Sequence, residues 1–167
     1  MIVGIDSMIL IYAGSVPKSI GTAASERAQL TLRAKLLLHQ LSDDTIILPS
    51  IAVAELLVPI PDAQRGLLIA ELSSRFVCKP FDLPATAIAA DLWARSKKLP
   101  AELRHDNRNV LKSDVMIIAV AKAAGATVFY SHDRRCRAIA ALVMEAKDMP
   151  THSEDLFLPG DIERGEA

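Results

Sequence analysis

The chain has 167 residues, 51% of them apolar, and a formal net charge of −1. That length predicts a single domain spanning 1–167, large enough to bury roughly 70% of its unfolded surface. No apolar run approaches the ~20 residues of a membrane helix, so composition excludes a membrane-embedded chain. The N-terminal apolar stretch has no basic segment before it and carries an acid, Asp6, inside it, which argues against a secretory signal. Cys78 and Cys136 stand far apart in unlike contexts without metal-like spacing, and read as reduced thiols of a cytoplasmic protein, Cys78 within the core.

Ile2-Val3-Gly4-Ile5 is an apolar run of the length of a buried strand, and the first strand of an open α/β sheet is usually central. Ser7 to Ala13 follows as a short helix ended by Gly14, Pro17 and Gly21. Ala23 to Leu41 is a long amphipathic helix with Leu30, Ala34, Leu37, Leu38 and Leu41 on one stripe. Thr45 to Leu48 is the second strand. Pro49 suits a helix start, and Ser50 to Val58 forms an apolar helix that Pro59 and Pro61 close. Asp62 can cap a helix reaching about Ser74. Arg75 to Lys79 is the third strand, Leu83 to Lys98 a helix carrying Trp93, and Leu99 to Lys112 a polar connection. Ser113 to Ala124 is a helix ended by Gly125, and Thr127 to Ser131 the fourth strand. Arg134 to Leu142 is a short helix, Val143 to Lys147 a weak last strand, and 149–167 a tail. Strands alternating with helices predict a three-layer α/β/α sandwich around a mostly parallel five-stranded sheet.

Most acids have ordinary explanations in turns, caps and polar helix faces, but four do not. Asp6 ends the first strand, where a buried unpaired carboxylate would cost several kcal/mol. Glu55 sits in Ile51-Ala52-Val53-Ala54-Glu55-Leu56-Leu57-Val58, a helix apolar on every other side and therefore expected to be buried. Asp114 opens a second all-apolar helix, with Ser113 as a possible cap and the helix dipole favouring an anion there. Asp133 lies two residues past a strand end. Ligands of open α/β sheets bind at the carboxyl ends of the strands, and all four acids can converge there. Four hard oxygen donors suit Mg²⁺ or Mn²⁺ rather than zinc. Taken singly, Asp114 and Asp133 are more simply capping or salt-bridged acids; taken as a set, the four favour a metal.

Asp6-Ser7 after a strand, Glu55 in an apolar helix, Lys112-Ser113-Asp114 opening another and Ser131-His132-Asp133 after a strand resemble the acidic quartet of the PIN-domain nucleases. In size, order and spacing the chain is most similar to the VapC-type toxins of bacterial toxin–antitoxin pairs. The resemblance implies a five-stranded parallel sheet, a Mg²⁺- or Mn²⁺-dependent endoribonuclease, a homodimer and a cognate antitoxin. On this reading the quartet holds the ions that activate water and relieve charge on the leaving oxygen, with Ser7 and Ser131 supporting the ligands. Lys98, Arg104, Arg108, Lys112, Arg134 and Arg135 would hold RNA phosphates around the acidic pocket. Met8 stands where the family often has a small or polar residue, and the loop before Asp114 is long and basic.

Other chemistries have weaker support. Ser131-His132-Asp133 spells a triad, but adjacent residues project in different directions and cannot form the relay. His39, His105, His132 and His152 show no ligand spacing and read as surface residues. A receiver-like phospho-acceptor signalling domain also gathers acids at strand ends, but it would want adjacent acids after the first strand and a Lys after the last. A catalytically silent PIN-like module that binds RNA or a partner is the remaining alternative.

Overall fold

A strand buried on both faces reads as an unbroken apolar run, whereas an edge strand tolerates charge. A computed structural model of the chain describes residues 1–14, 24–105 and 107–151, and its strands sort in this way. β1 (Ile2–Ile5), β2 (Thr45–Pro49), β3 (Val77–Lys79), β4 (Val128–Tyr130) and β5 (Glu145–Lys147) form one all-parallel sheet in the order β3-β2-β1-β4-β5. The central strands supply Val3, Ile5, Ile46, Ile47, Leu48, Val128 and Phe129 to the core. Cys78, expected inside, is exposed because it belongs to the edge strand β3. Glu145 and Lys147 pair at 3.1 Å on the opposite edge.

The helices are α1 (Ser7–Tyr12), α2 (Ala24–Gln40), α3 (Ser50–Leu57), α4 (Asp62–Arg75), α5 (Leu83–Ser96), α6 (Arg108–Ala123) and α7 (Arg134–Ala140). With the sheet they form the α/β/α sandwich expected from the alternating pattern. None of them is long and apolar enough to cross a membrane. Pro17 and Gly21, the expected terminators after α1, lie outside the described residues, as do His152 and nearly all of the 149–167 tail. The start of that tail is not loose: Met149 is buried, and Arg33 on α2 donates to the carbonyls of Met149 and Pro150 at 2.7 and 2.8 Å.

Three helix starts and faces depart from the sequence reading. Pro61, not Asp62, occupies the cap position of α4, and Asp62 instead pairs with Arg65 at 2.9 Å. Only Ala52 and Leu56 of α3 are fully buried; Ala54 and Val58 are exposed, so this helix rests against the sheet rather than inside the core. The third departure matters most for the site. The connection expected over Leu99–Lys112 ends early, because Asn107 caps α6 by accepting from the Asn109 N–H at 2.8 Å. Ser113 is therefore not a cap, and Asp114 lies in the second turn, beyond the reach of the terminal dipole.

Two glycines place α6. A Cβ on Gly4 would lie 2.6 Å from Ala121 Cβ and 2.8 Å from the Phe129 ring, so only glycine lets α6 approach β1 this closely. Gly125 has φ +88°; its N–H donates to the Lys122 carbonyl and the Ala126 N–H to the Ala121 carbonyl, both at 3.0 Å. This paired closure stops α6 and turns the chain into β4. Ala121 and Asp114 are seven residues apart, two turns and about 10 Å along one helix face, so the contact at Gly4 carries Asp114 toward the end of β1.

The strand order also separates this fold from a receiver domain, whose sheet runs 2-1-3-4-5. Gly4→Ala is expected to destabilise the protein by about 1–3 kcal/mol through overpacking against Ala121, measured as a lowered urea midpoint; an unchanged midpoint would show that the helix can back away freely.

Candidate metal centre

The register of the central strands dictates the first pair of groups. Ile5 stands opposite Tyr130, and the Asp6 N–H donates to the Tyr130 carbonyl at 3.0 Å, so Asp6 and Ser131 leave the sheet side by side. Ser131 Oγ donates to Asp6 Oδ2 at 2.9 Å and accepts from the Asp133 N–H at 3.1 Å. Asp133 caps α7, its Oδ1 accepting from the N–H groups of Arg135 and Cys136 at 2.7 and 3.4 Å. Capping and a place in the cleft are thus compatible, because both bonds use a single oxygen.

Glu55 arrives from α3 and is tied in by two hydroxyls. Ser7 Oγ donates to Glu55 Oε2 at 2.7 Å and lies 3.3 Å from Asp6 Oδ1. Ser113 Oγ donates to Glu55 Oε1, a role that the sequence reading of Ser113 missed. Its position one turn after Asn109 is the available signal once the helix is known to begin at Arg108. Asp6, Ser7, Met8, Glu55, Val58, Asn109, Val110, Ser113, Asp114 and Asp133 line one open cleft of about 450 Å³. The structure therefore brings together the four acids and Ser7, with Ser131 directly beneath Asp6.

Electrostatics in this cleft run against ionisation. Burial raises the Asp6 carboxyl above its ordinary range; the Ser131 hydrogen bond opposes that rise and the negative Glu55 adds to it. Asp114 is pushed up to about 8 by burial first, then by the fields of Asp6, Asp133 and Glu55. Among the described residues no lysine or arginine pairs with any of the four carboxylates. The neighbour that Asp114 does have is a histidine: His105 Nε2 lies 2.7 Å from Asp114 Oδ2, with only 5% of the His105 side chain exposed. His105 was expected at the surface and instead lies buried against Asp114. His132 also has a structural partner, Asp148 at 3.0 Å, while Ser131 bonds Asp6, so these neighbours form no relay.

The basic residues divide. Lys98, Arg104, Arg108, Lys112 and Arg134 are exposed and Arg135 is half-buried. Arg108 lies 5.8 Å over the Trp93 ring. Arg137 points inward, donating to the carbonyls of Ser131 and His132 at 2.8 Å each and pairing with Asp148 at 3.3 Å, so it braces the turn after β4.

The sequence profile of the PIN domain matches residues 19–142, well over half of the chain. That span includes Glu55, Asp114 and Asp133 and begins after Asp6. No curated protein matches the chain in sequence. Among solved structures, VapBC2 from Rickettsia felis, bound to a DNA fragment from their promoter, aligns with a TM-score of 0.58 at 17% identity, covering 90% of this chain and 100% of that one. VapBC-1 from nontypeable Haemophilus influenzae aligns with a TM-score of 0.59 at 18% identity, covering 89% and 98%.

Because Asp114 holds its proton to a higher pH when folded than when unfolded, this group's contribution to stability is complete below about 4 and is lost as pH rises through about 8. Without divalent ions, the melting temperature is expected to fall between pH 6 and pH 9, and Asp114→Asn to flatten that slope. Scanning calorimetry in EDTA tests this; a wild-type profile as flat as the variant's would refute it.

Proposed function

This chain belongs to the PIN domain family, and from that premise we propose that it is a Mg²⁺- or Mn²⁺-dependent endoribonuclease, the VapC-type toxin of a toxin–antitoxin pair. The observation that carries the reading is the convergence of Asp6, Glu55, Asp114 and Asp133 on one cleft, with no lysine or arginine among the described residues paired to them. The residues fit a hard dication: the donors are carboxylate oxygens, two of the acids resist ionisation in its absence, and the cleft is open enough to admit water and phosphate. A divalent ion bound there would supply a more acidic water and charge neutralisation at the phosphate.

The chain's own residues do the positioning. Asp6 is held by Ser131 and by its backbone bond to β4, and Ser7 and Ser113 fix both oxygens of Glu55. Such hydroxyl contacts orient a ligand before the ion arrives, which lowers the cost of binding. Both capping bonds of Asp133 use Oδ1, which leaves Oδ2 for the cleft. The family needs no protein nucleophile, and among the described residues the cleft lining contains no cysteine, lysine or histidine–serine pair to act as one.

The substrate side rests on charge. Arg108 and Lys112 lie on the α6 turns that carry Asn109, Val110 and Ser113 to the cleft, and Arg104, Lys98 and Arg134 are exposed nearby in sequence. These groups are suited to phosphate contacts, which set affinity and register without reading bases. An antitoxin partner is proposed from the likeness to the two VapBC structures, and a homodimer from the family resemblance. They are supported by exposed apolar side chains: Val58 is 78% and Leu67 76% exposed, and Val53, Ala54, Leu57 and Ile69 line a groove beside β3. The cytoplasm is the compartment where such an RNA substrate and antitoxin are met.

Purified chain free of partner is expected to cut RNA with Mg²⁺ or Mn²⁺ and to stop in excess EDTA. Asp6→Asn should lower the cleavage rate by at least about a hundredfold, a loss of ~2.7 kcal/mol of transition-state stabilisation, without lowering the melting temperature. Cleavage that survives EDTA, or an Asp6→Asn variant as active and as growth-inhibitory as the wild type, would overturn the reading. The double variant Arg104→Gln/Arg108→Gln is expected to weaken RNA binding and to flatten its dependence on salt; an unchanged slope in a filter-binding titration would show that these side chains do not touch phosphate.

A further inference from the structure

The acidic quartet does not account for His105. Its Nε2 stands 2.7 Å from Asp114 Oδ2, and one ligand atom from each of His105, Asp114 and Asp133 lies within 4.8 Å of the others. Around an ion with ligands at about 2.1 Å, neighbouring donors are about 3 Å apart and opposite ones about 4.2 Å. The three donors are therefore near enough for one ion to gather them once they draw together around it. The ring is almost fully buried, and with Leu99, Leu103, Leu111 and Ile139 it lines a small cavity.

We propose that His105 is a metal ligand, and that it forms with Asp114 and Asp133 a mixed nitrogen and oxygen site that favours a first-row transition dication over Mg²⁺. This rests on the metal-centre reading above and refines it. Carboxylate oxygens alone discriminate weakly between Mg²⁺ and Mn²⁺, whereas an imidazole nitrogen is a softer donor that Mg²⁺ accepts poorly. The competing arrangement, in which the His105 ring simply pairs with Asp114, would neutralise one carboxylate and leave the other three facing one another across the cleft.

Mn²⁺ is the probe, since its electron spin reports directly bound nitrogen. Pulsed EPR of the full chain loaded with Mn²⁺ is expected to show ¹⁴N modulation from coordinated imidazole. His105→Gln should abolish that modulation and cut the preference for Mn²⁺ over Mg²⁺, read from competition titrations, by about tenfold or more, while Mg²⁺ affinity changes much less. Should His105→Gln fold poorly by circular dichroism, the wild-type spectrum with ¹⁵N-labelled histidine decides alone, because the modulation must shift with the label. Mn²⁺ bound with no nitrogen modulation, or an unchanged ion preference in a folded His105→Gln variant, overturns the histidine ligand and leaves the carboxylate site standing. Binding of Mn²⁺ that survives Asp6→Asn and Asp114→Asn together, or no binding at all, overturns the metal centre itself.

Discussion

Asp6 is buried at the end of the central strand with the field of Glu55 acting on it, and Asp114 feels Asp6, Asp133 and Glu55 together. Placing negative charges this close in a partly desolvated cleft costs free energy that no lysine or arginine of the described structure offsets. Two outcomes relieve it: protons, which hold Asp114 up to about 8, or a dication. The same carboxylates would thus bind protons when the cleft lacks a cation and give them up if one bound. A site built in this way trades stability of the unliganded fold for affinity toward a positively charged ligand.

The rest of the molecule holds these groups against their repulsion. Parallel register sets Asp6 beside Ser131, and the missing side chain of Gly4 lets α6 close on β1 so that Asp114, two turns before Ala121, reaches the same end of the sheet. Ser7, Ser113 and Ser131 supply hydroxyl donors to Asp6 and Glu55. Uncharged donors suit this role, since they stabilise a carboxylate without cancelling the charge that a cation would need. Arg137, drawn inward to two carbonyls and Asp148, stiffens the turn that presents Asp133.

Several features escaped the sequence for identifiable reasons. Arg108 to Lys112 is polar on its exposed side, so the first turn of α6 resembles a loop until Asn107 is seen to cap it. That shift of five residues converts Ser113 from an expected cap into a partner of Glu55. Cys78 is apolar in character, yet it lies on an edge strand, and neighbour order cannot be read from a single strand's composition. The all-apolar look of α3 suggested a core helix, whereas Ala54 and Val58 form an open surface suited to a partner.

What the sequence determined alone was periodicity and anomaly. Alternating apolar runs and amphipathic stretches specified an α/β sandwich, because burial of one face is encoded locally, and four acids in apolar settings stood out because each would be costly if buried alone. Only the tertiary structure decided that these acids share a cleft, that serine hydroxyls tie two of them in place, and that His105 joins them. Those relations depend on contacts between residues as much as 125 positions apart, Ser131 with Asp6 among them, and such distances are set by strand order and helix packing, which no local pattern carries.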